Sequence, residues 1–250
     1  FVRALEAALA AGGVSGVEGV TWRIAMANRI PLSRGMGSSA AASVGGLVAG
    51  DALLGLLGRG LPAEDRLRIP SEIEGHPDNA APALLGGFVV SAALEERYEA
   101  IRFDVPPELV AIVFIPQLWL ETRAMREILP MKVPRADAVA NPGRVALGVA
   151  GLASGRIDLL RALTVDRLHE PYRAKVFPQL PVLVQGARDA GALGACLSGA
   201  GSTVIAFAEA GSDVAAISAA FSRVAADHDL PGRVEVIAPR NAGARVLAAG

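Results

Sequence analysis

From residue 20 to residue 27 the chain alternates, with Val20, Trp22, Ile24 and Met26 standing against Thr21, Arg23, Ala25 and Ala27. A period of two predicts a half-buried strand. Residues 1–11 read as a helix that is already under way at Phe1, so sequence upstream is expected to be missing. After the alternating segment come a glycine-containing loop over 31–37 and a long apolar helix over about 38–57. Residues 62–74 predict a second helix, interrupted near Pro70. Residues 76–79 read as a turn, and 80–85 as a short helix stopped by Gly86 and Gly87. Residues 88–92 follow as a short strand.

The pattern then changes. Strands are predicted over 101–105 and 109–115, separated by Pro106 and Pro107. The two prolines mark the expected domain boundary, with one domain over 1–105 and another over 106–250. Helices are predicted over 144–153 and 178–189. The remainder reads as strand 195–197, glycine turn, strand 203–208, helix 214–228 and strand 234–238. Strands and helices mix without strict βαβ repetition, so the expected class is α+β rather than a doubly wound sheet.

Composition narrows the function classes. Hydrophobic residues make up 52% of the 250 positions and charged residues 20%, ample for a packed core and too apolar for a disordered chain. Lys and Arg number 24 against 25 Asp and Glu, so neither nucleic acid nor an anionic membrane is an expected partner. Lys132 and Lys175 are the only lysines, which leaves a lysine-dependent phosphate loop almost nothing to draw on. A single cysteine, Cys196, and three histidines exclude an internal disulfide and a Cys/His zinc cluster. A reducing, cytoplasmic setting is expected. The most apolar stretch, 36–58, carries Ser38, Ser39, Ser43 and Asp51 and is rich in Gly and Ala, so it reads as a buried helix rather than a membrane span. No charged segment followed by an apolar one opens the chain, and no secretory signal is expected.

Three glycine-rich segments carry candidate chemistry. In the first, Pro31-Leu32-Ser33-Arg34-Gly35-Met36-Gly37-Ser38-Ser39-Ala40-Ala41, glycines let the backbone approach a ligand, and the helix starting at the serines aims unpaired N–H groups and its positive dipole end into the loop. That suits phosphate; the plain alternative is a tight turn into a core helix. The Walker pattern is absent. Residues 35–40 fit the dinucleotide fingerprint literally, but the loop is too long and Asp51 too early for that fold. The second segment, Glu72-Ile73-Glu74-Gly75-His76-Pro77-Asp78-Asn79, is a rigid polar turn. It could supply a Mg²⁺ ligand and a group beside a substrate hydroxyl, or merely a helix cap and solvated glutamates. His76 is expected to be a hydrogen-bonded turn residue. The third, Leu197-Ser198-Gly199-Ala200-Gly201-Ser202-Thr203, reads as a hairpin turn or as a second glycine wall for a nucleotide.

Taken together and in this order, these segments resemble the GHMP kinase superfamily and, within it, the homoserine kinase family. Residues 31–41 look like the nucleotide loop P-x-x-x-G-[LM]-G-S-S-A-A, and 74–87, EGHPDNAAPALLGG, look like the segment particular to homoserine kinases. Residues 197–203 are similar to L-S-G-[SA]-G-P-T, with Ser202 in place of the usual proline. Thr122 to Arg126 with Leu129-Pro130 resembles T-x-x-x-R-x-x-L-P; residues 166–173 resemble D-R-[LI]-H-[EQ]-P-Y-R; and the tail 239–244 is similar too. The family's first-strand motif, P-A-S-x-A-N-L-G-P-G-F-D, has no counterpart before Phe1.

The resemblance implies a two-domain GHMP kinase fold. An N-terminal α+β nucleotide-binding domain would be followed by a C-terminal ferredoxin-like domain, with the active site in the cleft between them, and a homodimer is possible. It implies Mg²⁺- and ATP-dependent phosphorylation of the side-chain hydroxyl of L-homoserine. Pro31, Ser33, Arg34, Gly35, Met36, Gly37, Ser38, Ser39, Ala40 and Ala41 would line the ATP phosphates, and Ser39 and Glu74 would hold Mg²⁺. Arg126 and Arg173 would clamp the substrate carboxylate, which a planar guanidinium pairs bidentately. Thr122 would sit near the transferring phosphate. Asn79 would orient the hydroxyl and Asp78 hold the ammonium, with Asp78 as a general base the alternative. Two other readings stay open: a mevalonate- or shikimate-type GHMP kinase, and a non-catalytic, truncated nucleotide-binding fragment. Cys196 reads as a small core residue.

Overall fold

A computed structural model describes residues 1–17, 20–211 and 213–247, with the side chain of Thr122 outside the described set. The chain divides into two compact units, Phe1–Ile30 with Gly37–Val105 and Arg240–Gly250, and Pro31–Met36 with Pro106–Pro239.

In the first unit, α1 (Val2–Ala11) packs along α2 (Ser38–Leu56), with α3 (Asp65–Glu74) and α4 (Ala80–Leu85) against them. Leu5, Ala8, Leu9, Leu47, Leu54, Leu61 and Ile69 form the core. The small residues of α2 have a packing reason, since a Cβ at Gly46 would stand 2.1 Å from the Phe1 carbonyl oxygen. By length and composition α2 could cross a membrane; here Val44, Leu47 and Leu54 are buried within the unit. A hairpin of β1 (Phe88–Ala93) and β2 (Tyr98–Phe103) completes this unit, with Phe88 opposite Phe103. The tail closes on it: Asn241 exchanges two hydrogen bonds with the Val105 backbone, at 2.8 and 2.9 Å, and Gly87 N–H donates to the Arg240 carbonyl.

The expected strand over 20–27 is not there. These residues run without regular structure, and Val20, Ile24 and Met26 are exposed. Alternation makes a strand only when a neighbour supplies the ladder, and no described strand pairs with this segment. The interruption at Pro70 is also absent. α3 runs through Pro70, which is buried with Ile69 and Ser71, so tertiary packing outweighs the lost backbone bond.

The second unit contains β3 (Leu109–Pro116), α5 (Thr122–Glu127), α6 (Arg135–Ala153), α7 (Leu160–Leu163), α8 (Glu170–Arg173), α9 (Leu180–Asp189), β4 (Gly194–Leu197), β5 (Val204–Glu209), α10 (Val214–Asp227) and β6 (Gly232–Ile237). The sheet order is β4-β5-β3-β6, antiparallel throughout. With α9 before β4 and α10 before β6, this is the β-α-β-β-α-β ferredoxin-like arrangement, with α5–α8 inserted after its first strand. Ile112 and Phe114 of β3, Val204 and Ala206 of β5, Leu183 of α9 and Phe221 of α10 are buried in one core. As a central strand, β3 is buried on both faces and reads as a continuous apolar run. α6 begins at Arg135, well before the expected residue 144, with Pro142 inside it.

Candidate active site

In the first unit the site residues gather at the start of α2. Gly37 is the N-cap in a left-handed conformation, φ 72°, and the helix has no side-chain cap. Its first-turn N–H groups are the unpaired donors that, with the positive dipole end, make an anion site. Glu74, the last residue of α3, brings Oε1 to this end, where it accepts the hydroxyls of Ser39 (2.9 Å) and Ser43 (2.7 Å). The left-handed Gly75 ends α3 directly after it. Asn79 lies across the loop: a Cβ at Gly37 would stand 3.6 Å from Asn79 Oδ1. Asp78 pairs with His76 in the turn after α3, and the Asp78 side chain is 69% exposed. Two participants escaped the sequence reading. Ser43 sits one turn beyond Ser39 on the same helix face, a spacing that could have flagged it. Asn28 donates to Ser38 Oγ at 3.2 Å and accepts from the Ile30 N–H at 2.9 Å, and no spacing signals it.

The donor set fits Mg²⁺ better than a transition metal. One carboxylate and one hydroxyl suit a hard cation that keeps water and takes substrate phosphates as further ligands. No group of three or more His, Cys, Asp or Glu side chains able to hold a metal occurs among the described residues.

In the second unit, residues 31–36 lie on the β4–β5 turn. Gly35 (φ 72°) is packed so closely that a Cβ would stand 2.0 Å from the Ser198 carbonyl oxygen. Ser198 Oγ donates to the Gly35 carbonyl (2.8 Å), and the Thr203 N–H donates to the Arg34 carbonyl (3.1 Å). Arg34 is engaged structurally, donating to the Pro116 and Gln117 carbonyls and stacking 5.4 Å from the Trp119 ring centre. Ser202, where the family has proline, is fully buried and donates to the Leu118 carbonyl at 2.5 Å.

The same turn receives Arg173. Its Nη1 donates to the Gly199 carbonyl (2.8 Å) and its Nε to the Met125 carbonyl (3.5 Å), which sets it beside the residue preceding Arg126. Burial lowers the pKa of Arg173, and the positive charge of Arg126 lowers it further, while Asp166 and Glu170 oppose the shift. Two guanidinium groups whose charges oppose each other can together pair a carboxylate, which would relieve the repulsion. Glu170, half-buried and raised in pKa by desolvation, accepts the Leu197 N–H at 2.6 Å.

Comparison with known proteins places this arrangement. Residues 1–87 match the family described as GHMP kinases N terminal domain, and 149–227 the one described as GHMP kinases C terminal. The homoserine kinase of Moorella thermoacetica is 48% identical over 188 residues, covering 75% of this chain and 62% of that protein. The homoserine kinase of Desulfitobacterium hafniense is 38% identical over 232 residues, 93% of this chain and 77% of that protein. Among solved structures, the homoserine kinase from Cytophaga hutchinsonii superposes with a TM-score of 0.74 at 28% identity, covering 86% of this chain and 69% of that one. A putative homoserine kinase from Listeria monocytogenes gives 0.68 at 31% identity, with 89% and 72% covered. The matched region spans about three-fifths of the length of the first curated relatives, 62% and 60%. Both domain families, the ferredoxin-like unit and the relatives' identity agree: the chain belongs to the homoserine kinase family of the GHMP kinases.

Proposed function

We propose that this chain carries out Mg²⁺- and ATP-dependent phosphorylation of the side-chain hydroxyl of L-homoserine, giving O-phospho-L-homoserine for threonine biosynthesis. The observation that carries the reading is the seating of the segment particular to homoserine kinases, which brings Glu74 to Ser39 and Ser43, and Asn79 to Gly37, at the start of α2.

Phosphoryl transfer asks a protein for alignment and charge neutralisation more than for covalent chemistry. Backbone N–H groups around Gly37, Ser38 and Ser39 take the part that a Walker lysine plays elsewhere. Pro31, Ser33, Arg34, Gly35 and Met36 ahead of them, and Ala40 and Ala41 behind, complete the nucleotide-binding run. Ser39 and Glu74 would hold Mg²⁺, which when bound neutralises phosphate charge. Arg126 and Arg173 bind the homoserine carboxylate, Asp78 its ammonium, and Asn79 orients the hydroxyl. An amide is no base near neutral pH, so the hydroxyl proton passes to phosphate or water. Thr122 is assigned to the transferring phosphate on resemblance alone.

The test is a coupled ADP-release assay on the chain together with any residues encoded ahead of Phe1, with ATP, Mg²⁺ and L-homoserine, against mevalonate, shikimate and no acceptor. Homoserine-dependent release is expected. Release only with another acceptor would overturn the substrate assignment, and no release with any acceptor would overturn catalysis.

A further inference from the structure

Asp166 receives an unusual number of donors. Its Oδ1 accepts from Asn141 Nδ2 (3.0 Å) and the Leu168 N–H (3.1 Å), and lies 3.2 Å from His169 Nδ1. Its Oδ2 accepts the N–H groups of His169 (2.7 Å) and Glu170 (2.6 Å). Burial would raise this carboxyl, but the bonds from His169, Glu170 and Asn141 outweigh it and hold it well below the usual carboxylate range.

The next residue of the loop is anchored to the same helix. Asn141 Oδ1 accepts the Arg167 N–H at 2.8 Å, and the Arg167 guanidinium pairs with Asp137 at 3.3 Å. Both Asn141 and Asp137 lie on α6. The chain leaving Asp166 therefore enters α8 from a fixed point. A helix of four residues has too few internal bonds to set its own direction. At its end stands Arg173, whose Nη1 reaches the Gly199 carbonyl, while Glu170 holds the Leu197 N–H on the same turn.

We propose that Asp166 is the positioning residue for Arg173, acting through Asn141 and α8 to hold the guanidinium where it receives the acceptor's carboxylate. The assignment of that carboxylate to Arg173 rests on the function proposed above. The role assigned to Asp166 is positioning and not substrate contact, since both of its oxygens accept from the loop and α6.

Asp166→Asn keeps the shape but replaces one acceptor oxygen with an NH₂ that faces donors. Initial-rate kinetics in homoserine and in ATP should be measured for Asp166→Asn, Arg173→Met and the double variant, with thermal unfolding of each. Asp166→Asn is expected to raise the KM for homoserine about tenfold while the KM for ATP stays within about twofold. In the Arg173→Met background the same change is expected to add nothing, because a residue that acts only through Arg173 has nothing left to position. An unchanged homoserine KM, or independent additive losses in the double variant, would overturn the proposal. If Asp166→Asn does not fold, Asn141→Ala carries the same cycle with a smaller rise in the same direction, and a rise that persists without Arg173 overturns it. If the unaltered protein turns over no homoserine, the proposed function fails and amide exchange decides this point. Asp166→Asn, or Asn141→Ala in its place, should speed exchange across Glu170–Arg173 at least about tenfold, and unchanged protection would overturn the positioning role.

Discussion

Ser43 donates its hydroxyl to Glu74 Oε1 at 2.7 Å from a position 4% exposed, four residues on from Ser39, whose hydroxyl reaches the same oxygen. The buried serine fixes the carboxylate and the outer one sits at the helix start, so a single oxygen is oriented from two points on one helical face. Ser43→Ala is expected to cost about 1.5–3 kcal/mol of stability, the usual worth of a hydrogen bond to a charged group. It should also raise the Mg²⁺ concentration for half-maximal turnover while leaving the KM for homoserine unchanged. A Mg²⁺ titration of the variant checks this, and an unshifted midpoint would separate Ser43 from the ion site.

Gly35 has no room for a methyl group: φ is 72° and a Cβ would meet the Ser198 carbonyl oxygen at 2.0 Å. The obstacle is backbone, not a side chain that can swing away. Gly35→Ala is expected to destabilise the second unit by about 1–3 kcal/mol for the left-handed conformation alone, with the clash in addition. Urea unfolding monitored at Trp119 checks it, and a variant as stable as the parent would contradict the described packing.

Arg126 adds its positive charge to the burial that lowers Arg173. Arg126→Leu is expected to raise the KM for homoserine about tenfold or more, with the KM for ATP little changed, since a charge-assisted bidentate contact is lost on the acceptor only. Unchanged homoserine kinetics would remove Arg126 from the site.

Asp78 pairs with His76 and remains largely exposed. Asp78→Asn separates the two chemical parts this carboxylate could take. A rise in the KM for homoserine with kcat within about threefold is the expected result and marks an anchor for the ammonium. A fall in kcat of about a hundredfold or more would instead mark a general base.

Burial pushes the Cys196 thiol up to about 12, with the negative charge of Glu170 adding to the effect. The folded value lies above the unfolded one of 9.0, so the contribution to stability is complete below pH 9 and is lost as the pH rises towards the folded value. Native protein at pH 8 should resist a thiolate-seeking disulfide reagent and react stoichiometrically in urea. Cys196→Ala should flatten the alkaline loss of stability. Rapid labelling of the native protein would contradict the burial.

Much of this molecule is written locally. The helix that became α2, the left-handed Gly37 before it, the stop at Gly86 and the α10–β6 ending all follow from periods and caps that a short window carries. The motif residues Glu74, Asn79, Arg126 and Arg173 stand out in the chain itself because their neighbours identify them. What the chain could not announce depends on partners distant in sequence. Residues 20–27 have the alternation of a strand, yet a strand exists only where a second backbone supplies the ladder, and no strand among the described residues does. Pro70 has the signature of a break, yet burial of the turn around it keeps α3 whole. The bonds from Asn141 to Asp166, from Ser198 to Gly35 and from Arg173 to Gly199 join residues 25, 163 and 26 positions apart. Periodicity decides which face of an element is apolar; only the folded chain decides which donor meets which acceptor, because hydrogen bonds act over about 3 Å of space whatever the separation in sequence.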